Sequence, residues 1–434
     1  MTNLQSNLQE SLDAFQNRNP QSLDYYQQSC KFMPGGNTRS VIWHEPYPLR
    51  ITRGENAIIT DVDGHDYVDF LGEYSAGLFG HSHTELHQAS IDAMGRGISF
   101  GAHNEFESRF SQLLVERFPP LERLRFTNSG TEANMMAIST SRVMTGKSKV
   151  LVFRGGYHGG VFYFGTKDSA LNAPFPWIVA PFNDLETATA LLAADADNIA
   201  CVLVEPMQGS AGCIPASKSF LQGLRKACDK TGTLLIFDEV MTSRLGSGGA
   251  SSYYSVMPDL ITLGKYLGGG HSFGAFGGRA ELMARFDPSR QDALVHAGTF
   301  QNNVLTMATG IKVLESVFTS EVADAHFQLG EQWRDRLNQK LTGNNLGLVV
   351  SGLGSLLNIH PTRGIITSID DLKSVDDRLR LLLFLKLLEK GFYIARRGYM
   401  SLSLALEGHH LEAFENALLD TAETLRPWLP GNSE

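Results

Sequence analysis

Short apolar segments alternate with helix-length segments through the middle of the chain. Each apolar segment is typical of a β-strand, and the stretch that follows it is long enough for a helix. Near-continuous apolar strands separated by helices indicate a parallel sheet that is covered on both faces. The predicted strands are LRFTN (124–128), VLVF (150–153), ACVLVEP (200–206), TLLIFDEV (233–240) and LITLG (260–264).

The two ends of the chain show other patterns. Residues 1–30 are mostly candidates for amphipathic helices, and residues 51–70 alternate as a small meander with Asp63-Gly64 as a hairpin turn. Beyond residue 310, helical and strand-like segments indicate a second α+β unit. The predicted divisions are an N-terminal segment that contributes to a small domain (1–75), a large α/β domain (76–310) and a C-terminal α+β domain (311–434).

Composition narrows the classes of function. A chain of 434 residues with 42% hydrophobic content can bury a large core. A net charge of -9 does not favour nucleic acid or an anionic membrane as a partner, and no uncharged apolar run of about 18 residues predicts a membrane span. The four cysteines lack metal-site spacing and the N-terminus lacks the pattern of a secretory signal. We therefore expect free thiols, no metal site and a cytoplasmic location.

Polar residues lie where the predicted strands end, which is where open α/β sheets bind ligands. Ser129-Gly130-Thr131 joins a strand to a helix, whose first-turn N–H groups and dipole suit a phosphate, although an ordinary N-cap has the same pattern. Asp238 ends an apolar strand, and a buried carboxylate needs a partner. That partner would be a protonated pyridine nitrogen or, in the alternative interpretation, the backbone.

Lys265 ends the strand LITLG and follows Asp238 by 265 − 238 = 27 residues, enough for a crossover between neighbouring strands. An amine in a partly dry pocket can attack an aldehyde and later move a proton, whereas a lone lysine is usually a solvated surface charge. The glycine-rich segment 155–160 contains Tyr157, whose flat ring could stack on a cofactor. Without further context this segment would be an ordinary loop.

The ordered motifs resemble the class III (ω-type) aminotransferases of pyridoxal phosphate (PLP) fold type I. The resemblance covers roughly residues 30–425 and implies a large α/β domain with a mostly parallel seven-stranded sheet covered by helices, plus a small α+β domain from both chain ends. It also implies a PLP-dependent enzyme that acts on an amino donor and a keto acid acceptor. The matching motifs are NSGTEA (128–133), GGYHG (155–159), VEPMQG (204–209), FDEV (237–240), TLGK (262–265), GAFGGR (274–279) and GTF (298–300).

The resemblance implies a role for each matching residue around the cofactor. Residues 129–131 would hold the phosphate, and Tyr157 and Val240 would contact opposite faces of the ring. His158 would also belong to the cofactor site.

The same resemblance assigns the reactive groups. Asp238 would pair with the pyridine nitrogen, supported by Glu205, and Gln208 would lie near the phenolic oxygen. Lys265 would hold the cofactor as a Schiff base and act as the catalytic residue. Thr299 would reach the phosphate of the neighbouring subunit, which implies a homodimer with shared active sites.

The segment FMPGGNTRSVIWHEPYPL (32–49) resembles the β-phenylalanine, or β-amino acid, branch of the family, which has an arginine matching Arg39; Arg397 is a second match, although Arg396 is adjacent. Guanidinium groups bind carboxylates bidentately, so the two arginines could hold a β-amino acid and 2-oxoglutarate or pyruvate. Surface ion pairs are the alternative for both. Other functions left open are glutamate-1-semialdehyde 2,1-aminomutase, another ω-amine aminotransferase and a PLP-fold binding protein without catalysis.

Overall fold

The computed structural model describes residues 4–431, and the chain divides into two compact units. The central unit comprises Thr84–Leu329 and Ile366–Asp371. The terminal unit comprises Met1–His83, Gly330–Ile365 and Leu372–Glu434. The domain limits expected from the sequence, at residues 75/76 and 310/311, stay a prediction. The division into units reflects how compact the backbone is, whereas a domain is also a part of the chain that could fold alone.

Helices and strands account for most of both units. The α-helices are α1 (Leu4–Arg18), α2 (Pro20–Ser29), α3 (Thr84–Met94), α4 (Glu105–Arg117), α5 (Gly130–Thr145), α6 (Leu185–Ala194), α7 (Lys218–Thr231), α8 (Gly249–Tyr254), α9 (Ala280–Met283), α10 (Val304–Lys312), α11 (Ser320–Gly343), α12 (Asp377–Glu389) and α13 (Gly408–Leu425). The strands are β1 (Ile51–Glu55), β2 (Ile58–Asp61), β3 (Asp66–Asp69), β4 (Arg123–Thr127), β5 (Lys149–Phe153), β6 (Gly156–Tyr157), β7 (Tyr163–Phe164), β8 (Trp177–Ala180), β9 (Ile199–Val204), β10 (Met207–Gln208), β11 (Ile214–Pro215), β12 (Leu234–Asp238), β13 (Leu260–Gly264), β14 (Gly274–Gly278), β15 (Val349–Leu353), β16 (Leu356–His360), β17 (Phe392–Tyr393) and β18 (Tyr399–Ser401).

A seven-stranded sheet in the order β4-β14-β13-β12-β9-β5-β8 forms the centre of the central unit. Strands β8, β5, β9, β12 and β13 are parallel, whereas β14 is antiparallel to both β13 and β4. Strands β9, β12 and β13 are buried at every residue, as expected for a sheet covered on both faces. The mostly parallel seven-stranded sheet is confirmed, together with all five predicted strands.

Strand β14 has a sequence, GAFGG, that β-propensity does not favour. Its glycines serve close packing instead. A Cβ atom on Gly274 would collide with the carbonyl oxygen of Ser129, and one on Gly278 would collide with that of Asp259. The strand therefore fits between β13 and β4 because it lacks side chains at these positions.

The helices of the central unit begin and end at residues with the expected capping chemistry. The hydroxyl of Ser129 accepts a hydrogen bond from the amide of Glu132 at the start of α5, and Gly146 ends this helix with a φ of 71°. Asp184 caps α6 in the same way, with its carboxylate 3.0 Å from the amide of Thr187. These caps determine where each helix begins relative to the sheet edge.

The terminal unit combines both ends of the chain. Strand β17 pairs in parallel with β3 of the predicted meander, and β15, β16 and β18 form a second small sheet. Helix α12 is buried around most of its surface, as its continuous leucine run predicts. Phe70, Trp333 and Phe414 pack ring against ring in the core of this unit. An α+β unit built from both chain ends is thus confirmed.

Two further sequence expectations concern the cysteines and membranes. The four cysteines are free thiols, of which Cys30 is exposed and the other three are buried. Within residues 4–431, the helices are too short or too polar to cross a bilayer.

Candidate active site

The ends of three strands, β4, β12 and β13, place residues 129–131, Asp238 and Lys265 at one edge of the sheet. Asp238, the last residue of β12, pairs in register with Thr262 of β13, and Lys265 follows three residues later. Gly274 of β14 pairs with Gly264 on one side and with Thr127 on the other. Neighbouring strands lie about 5 Å apart. The backbone of Lys265, which follows Gly264, and the start of α5, which follows Thr127, therefore lie on either side of Gly274 of β14.

The start of α5 offers a site for an anion. The first-turn amides of a helix, here including those of Gly130 and Thr131, lack carbonyl partners within the helix and carry the positive end of its dipole. A Cβ atom on Gly130 would lie 2.7 Å from Cγ2 of Val240, so the backbone closely approaches this side chain. A phosphate group fits the amides at such a helix start.

Asp238 is buried within a set of hydrogen-bond donors. Its Oδ2 atom accepts from Nδ2 of Asn134 and lies 2.8 Å from Nδ1 of His158; the Asn134 bond is also 2.8 Å long. Its Oδ1 atom accepts from the amide of Val240 at 3.1 Å. The hydroxyl of Thr262 donates to Oδ1 of Asn134 at 2.8 Å and so orients the amide. This arrangement holds the carboxylate in one orientation at the end of β12.

A second buried carboxyl group, Glu205, anchors the loop that carries Tyr157. Its Oε2 atom accepts from the amide of Tyr157 at 2.9 Å, and Oε1 accepts from the amide of Gly209 at 3.2 Å. Burial raises the pKa of Glu205 to about 7, and the nearby charge of Asp238 acts in the same direction, whereas His158 opposes it. Tyr157 is 47% exposed, so part of its surface is available to a ligand.

Gln208 holds an amide group beside the same loop. Its Nε2 atom donates to the carbonyl oxygen of Arg154 at 3.0 Å. Its Oε1 atom is buried and has no hydrogen-bond partner within the described part of the chain. A buried acceptor without a donor is unfavourable, so this oxygen suits a donor group on a bound ligand.

Lys265 adopts a strained backbone conformation. Its φ is 55°, in the left-handed region that residues with a Cβ atom rarely occupy. The side chain is partly buried directly after the buried strand β13. Such strain is common where a structure positions a functional side chain.

The predicted substrate arginines belong to the terminal unit. Arg39 forms an ion pair with Glu73. The guanidinium group of Arg397 lies over the rings of Tyr74 and Tyr399, 5.2 Å and 5.5 Å from their centroids.

Three other predicted positions have simpler surroundings. The guanidinium group of Arg396 donates two hydrogen bonds to the carboxylate of Asp377, at 3.0 Å and 2.6 Å. Arg397 has no such acidic partner among residues 4–431. Thr299 is exposed in the segment between α9 and α10. The carbonyl oxygen of His158 accepts a 3.0 Å hydrogen bond from Asn134.

Sequence reasoning missed two residues of this site, Asn134 and Thr262. Both are buried, at 1% and 0% exposure, among apolar neighbours of α5 and β13. A polar residue on an otherwise apolar buried face needs a hydrogen-bond partner, and this was the available signal. Their partner, Asp238, is 104 residues from Asn134 along the chain, so its identity depends on the fold.

The chain is similar to known proteins over most of its length. The family model "Aminotransferase class-III" matches residues 41–420. The chain is 48% identical over 411 residues to a β-phenylalanine transaminase of Variovorax paradoxus, covering 95% of this chain and 94% of that protein. A crystal structure of a β-phenylalanine aminotransferase from Variovorax paradoxus has 46% identity and a TM-score of 0.97, with 99% of each chain covered. A glutamate-1-semialdehyde aminomutase structure from Pseudomonas aeruginosa PAO1 has a TM-score of 0.88 with 97% and 98% covered, but at 24% identity it shows the fold alone.

Proposed function

The chain belongs to the class III aminotransferases, which are PLP-dependent, and we propose that it moves the amino group of a β-amino acid such as β-phenylalanine to 2-oxoglutarate or pyruvate. The products would be a β-keto acid and glutamate or alanine. The similarity to a β-phenylalanine transaminase over 95% of the chain carries this choice of substrate.

The residues of the central unit fit the cofactor. When bound, PLP supplies an aldehyde that takes up the amino group and a protonated ring that withdraws electrons from the substrate carbon. The amides at the start of α5 suit its phosphate, and the oriented carboxylate of Asp238 suits its ring nitrogen. The unpartnered Oε1 atom of Gln208 suits a ring hydroxyl. Tyr157 and Val240 supply surfaces for the two ring faces.

In this proposal Lys265 performs the proton transfers. Its Nζ atom would hold the cofactor through the aldehyde group and would release it to the substrate amine. The freed amine then removes the proton from the carbon that bears the substrate nitrogen, which in a β-amino acid is β to the carboxylate. The same Nζ atom would return a proton on the cofactor side, and water would release the β-keto acid while the amino group stays with the cofactor.

The arginines bind the carboxylates of the two substrates in this proposal. Arg397 supports such a role because its charge faces aromatic rings and is not paired with an acid within the described residues. Arg39 has Glu73 as its partner and would exchange it for a substrate carboxylate. A planar guanidinium group suits both exchanges because it donates two parallel hydrogen bonds.

The test uses purified holoenzyme with 3-amino-3-phenylpropionate and either 2-oxoglutarate or pyruvate. Formation of glutamate or alanine is the expected result, and Lys265→Ala is the control that should abolish it. An enzyme that transfers amino groups from other amines but from no β-amino acid would disprove the choice of substrate. Product formation without any keto acid would favour the aminomutase instead.

We further infer a homodimer in which Thr299 completes the active site of the neighbouring subunit. Several large apolar side chains in the central unit are exposed and support self-association, among them Phe100 at 50%, Val295 at 92% and Phe300 at 61%. Mixing the inactive variants Lys265→Ala and Thr299→Ala should then restore activity, since one site of the mixed dimer has both residues. No recovery in a mixture shown by mass to contain mixed dimers would exclude the shared site.

We also propose a cytoplasmic location. The free cysteines support a reducing compartment, where thiols stay reduced. Cell fractionation with an antibody to the chain tests this proposal, and recovery in an oxidising compartment would contradict it.

A further inference from the structure

Four consecutive residues of the terminal unit, Gly72–Ser75, have a left-handed backbone. Their φ angles are 52°, 44°, 52° and 76°. Three of these residues carry a side chain, and each is unfavourable in this conformation. We call this segment the left-handed turn, and its strain must be offset by the surrounding structure.

The surroundings of the left-handed turn enforce its conformation. The Oδ1 atom of Asp69 accepts hydrogen bonds from the amides of Leu71 and Gly72, at 2.8 Å and 3.0 Å. The Oδ2 atom of Asp69 lies 2.8 Å from Nε2 of His81. A Cβ atom on Gly72 would lie 2.8 Å from the carbonyl oxygen of Ser401, so this position requires glycine.

The left-handed turn places one aromatic ring, that of Tyr74, against both candidate substrate arginines. The Cζ atoms of Arg39 and Arg397 lie 5.7 Å and 5.2 Å from the ring centroid. The ring of Tyr399 stacks on Tyr74 with centroids 5.7 Å apart. The hydroxyl of Tyr74 donates to the carbonyl oxygen of Val41 at 2.8 Å, which anchors the ring.

The two arginines differ in their charge partners. Arg39 is paired with Glu73, which directly precedes Tyr74 in the left-handed turn. Arg397 has aromatic faces as its neighbours, and its Nε atom is buried without a hydrogen-bond partner within residues 4–431. A guanidinium group held on aromatic rings keeps its charge available for a carboxylate ligand.

We propose that Tyr74 is a positioning residue that determines substrate affinity by keeping Arg397 on its ring and away from the carboxylate of Glu73. Without this ring, Arg397 can join the ion pair of Glu73 and Arg39, and the free positive charge that would bind a substrate carboxylate is lost. The inference rests on the proposed function, in which Arg397 binds a carboxylate. It adds a residue that acts through Arg397 and not by touching the substrate.

The test compares Tyr74→Leu, Tyr74→Phe and the double variant Tyr74→Leu/Glu73→Gln as holoenzymes. The matched control is Tyr25→Leu, because Tyr25, although more exposed than Tyr74, also has a guanidinium group, that of Arg50, 5.6 Å from its ring centroid. KM and kcat are measured separately for the amino donor and for the keto acid. Cofactor absorbance and the unfolding temperature show whether each variant is folded, and Tyr74→Met replaces Tyr74→Leu if the latter fails to fold.

Loss of the ring should raise KM for one of the two substrates by about tenfold, with a much smaller change in kcat. Tyr74→Phe keeps the ring and should retain KM near that of the unchanged enzyme, and Glu73→Gln should restore part of the affinity lost in Tyr74→Leu. A KM within about twofold in Tyr74→Leu, or an equal loss in Tyr74→Phe or Tyr25→Leu, would overturn the inference. If the unchanged enzyme uses no β-amino acid, the proposed function fails, and the same KM comparison with the donor it does use still decides the role of Tyr74.

Discussion

The buried carboxyl group of Glu205 allows a quantitative prediction about pH and stability. Its side chain is 7% exposed, and burial raises its pKa from the usual 4.5 to about 7. Between these two pH values the folded protein keeps the proton, whereas the unfolded chain has released it. The unfolded state therefore binds fewer protons, and the free energy of unfolding falls as pH rises through this range.

The size of this effect follows from the displacement of the pKa. One pKa unit corresponds to about 1.4 kcal/mol, so the full effect is about 3 kcal/mol, of which about 2 kcal/mol falls between about pH 5.5 and 8. In Glu205→Gln the side chain is neutral at every pH and this loss is absent. The stability of the variant relative to the unchanged protein should therefore increase by about 2 kcal/mol over the same range.

The assay is urea unfolding at fixed protein and cofactor concentration, at several pH values, for both proteins. Taking the difference removes the contributions of other titrating groups. Glu239→Gln is the matched control, because burial also raises the pKa of Glu239 to about 7, but this carboxylate accepts from the amides of Ala250 and Ser251 and not from the Tyr157 loop. Both variants should show the pH effect.

Only Glu205→Gln should also weaken cofactor binding. Glutamine has one acceptor oxygen where glutamate has two, so the amide of either Tyr157 or Gly209 loses its partner. A stability difference that stays constant within about 0.5 kcal/mol, near the error of the extrapolation, would refute the reasoning about Glu205. Equal loss of PLP affinity in Glu239→Gln would refute its link to the Tyr157 loop.

Three other substitutions test separate parts of the structure. Asn134→Leu removes a hydrogen-bond donor to the buried Asp238, so it should lower the free energy of unfolding by about 3 kcal/mol and weaken PLP binding. Urea unfolding and cofactor titration measure the two effects, and unchanged values would contradict the role of Asn134 as a donor to Asp238. Gly130→Ala places a methyl group 2.7 Å from the side chain of Val240 and should weaken PLP binding by about tenfold or more. An unchanged affinity in a cofactor titration would argue against a phosphate at the start of α5. Arg396→Ala should leave KM for the amino donor and KM for the keto acid within about twofold, because Asp377 already binds this guanidinium group. A rise in KM as large as in Arg397→Ala would show that both arginines bind substrate.

The sequence by itself was sufficient for the layered α/β design and for the positions of Asp238 and Lys265 in the fold. Buried parallel strands are continuous apolar runs whose ends can be read locally, so Asp238 and Lys265 could be placed at strand ends without a structure. Strand β14 escaped this reasoning, because its glycines serve packing between neighbouring strands and carry no local β signal.

Tertiary structure alone decided how charged and polar groups are paired. The sequence left open whether Arg396 or Arg397 serves a substrate, and the fold assigns Asp377 to the first and aromatic rings to the second. It likewise joined Asn134 to Asp238 across 104 residues. The periodicity of apolar residues predicts which face of a helix or strand is buried. The partner of a buried polar or charged group lies on a distant segment of the chain, so a local sequence pattern does not identify it.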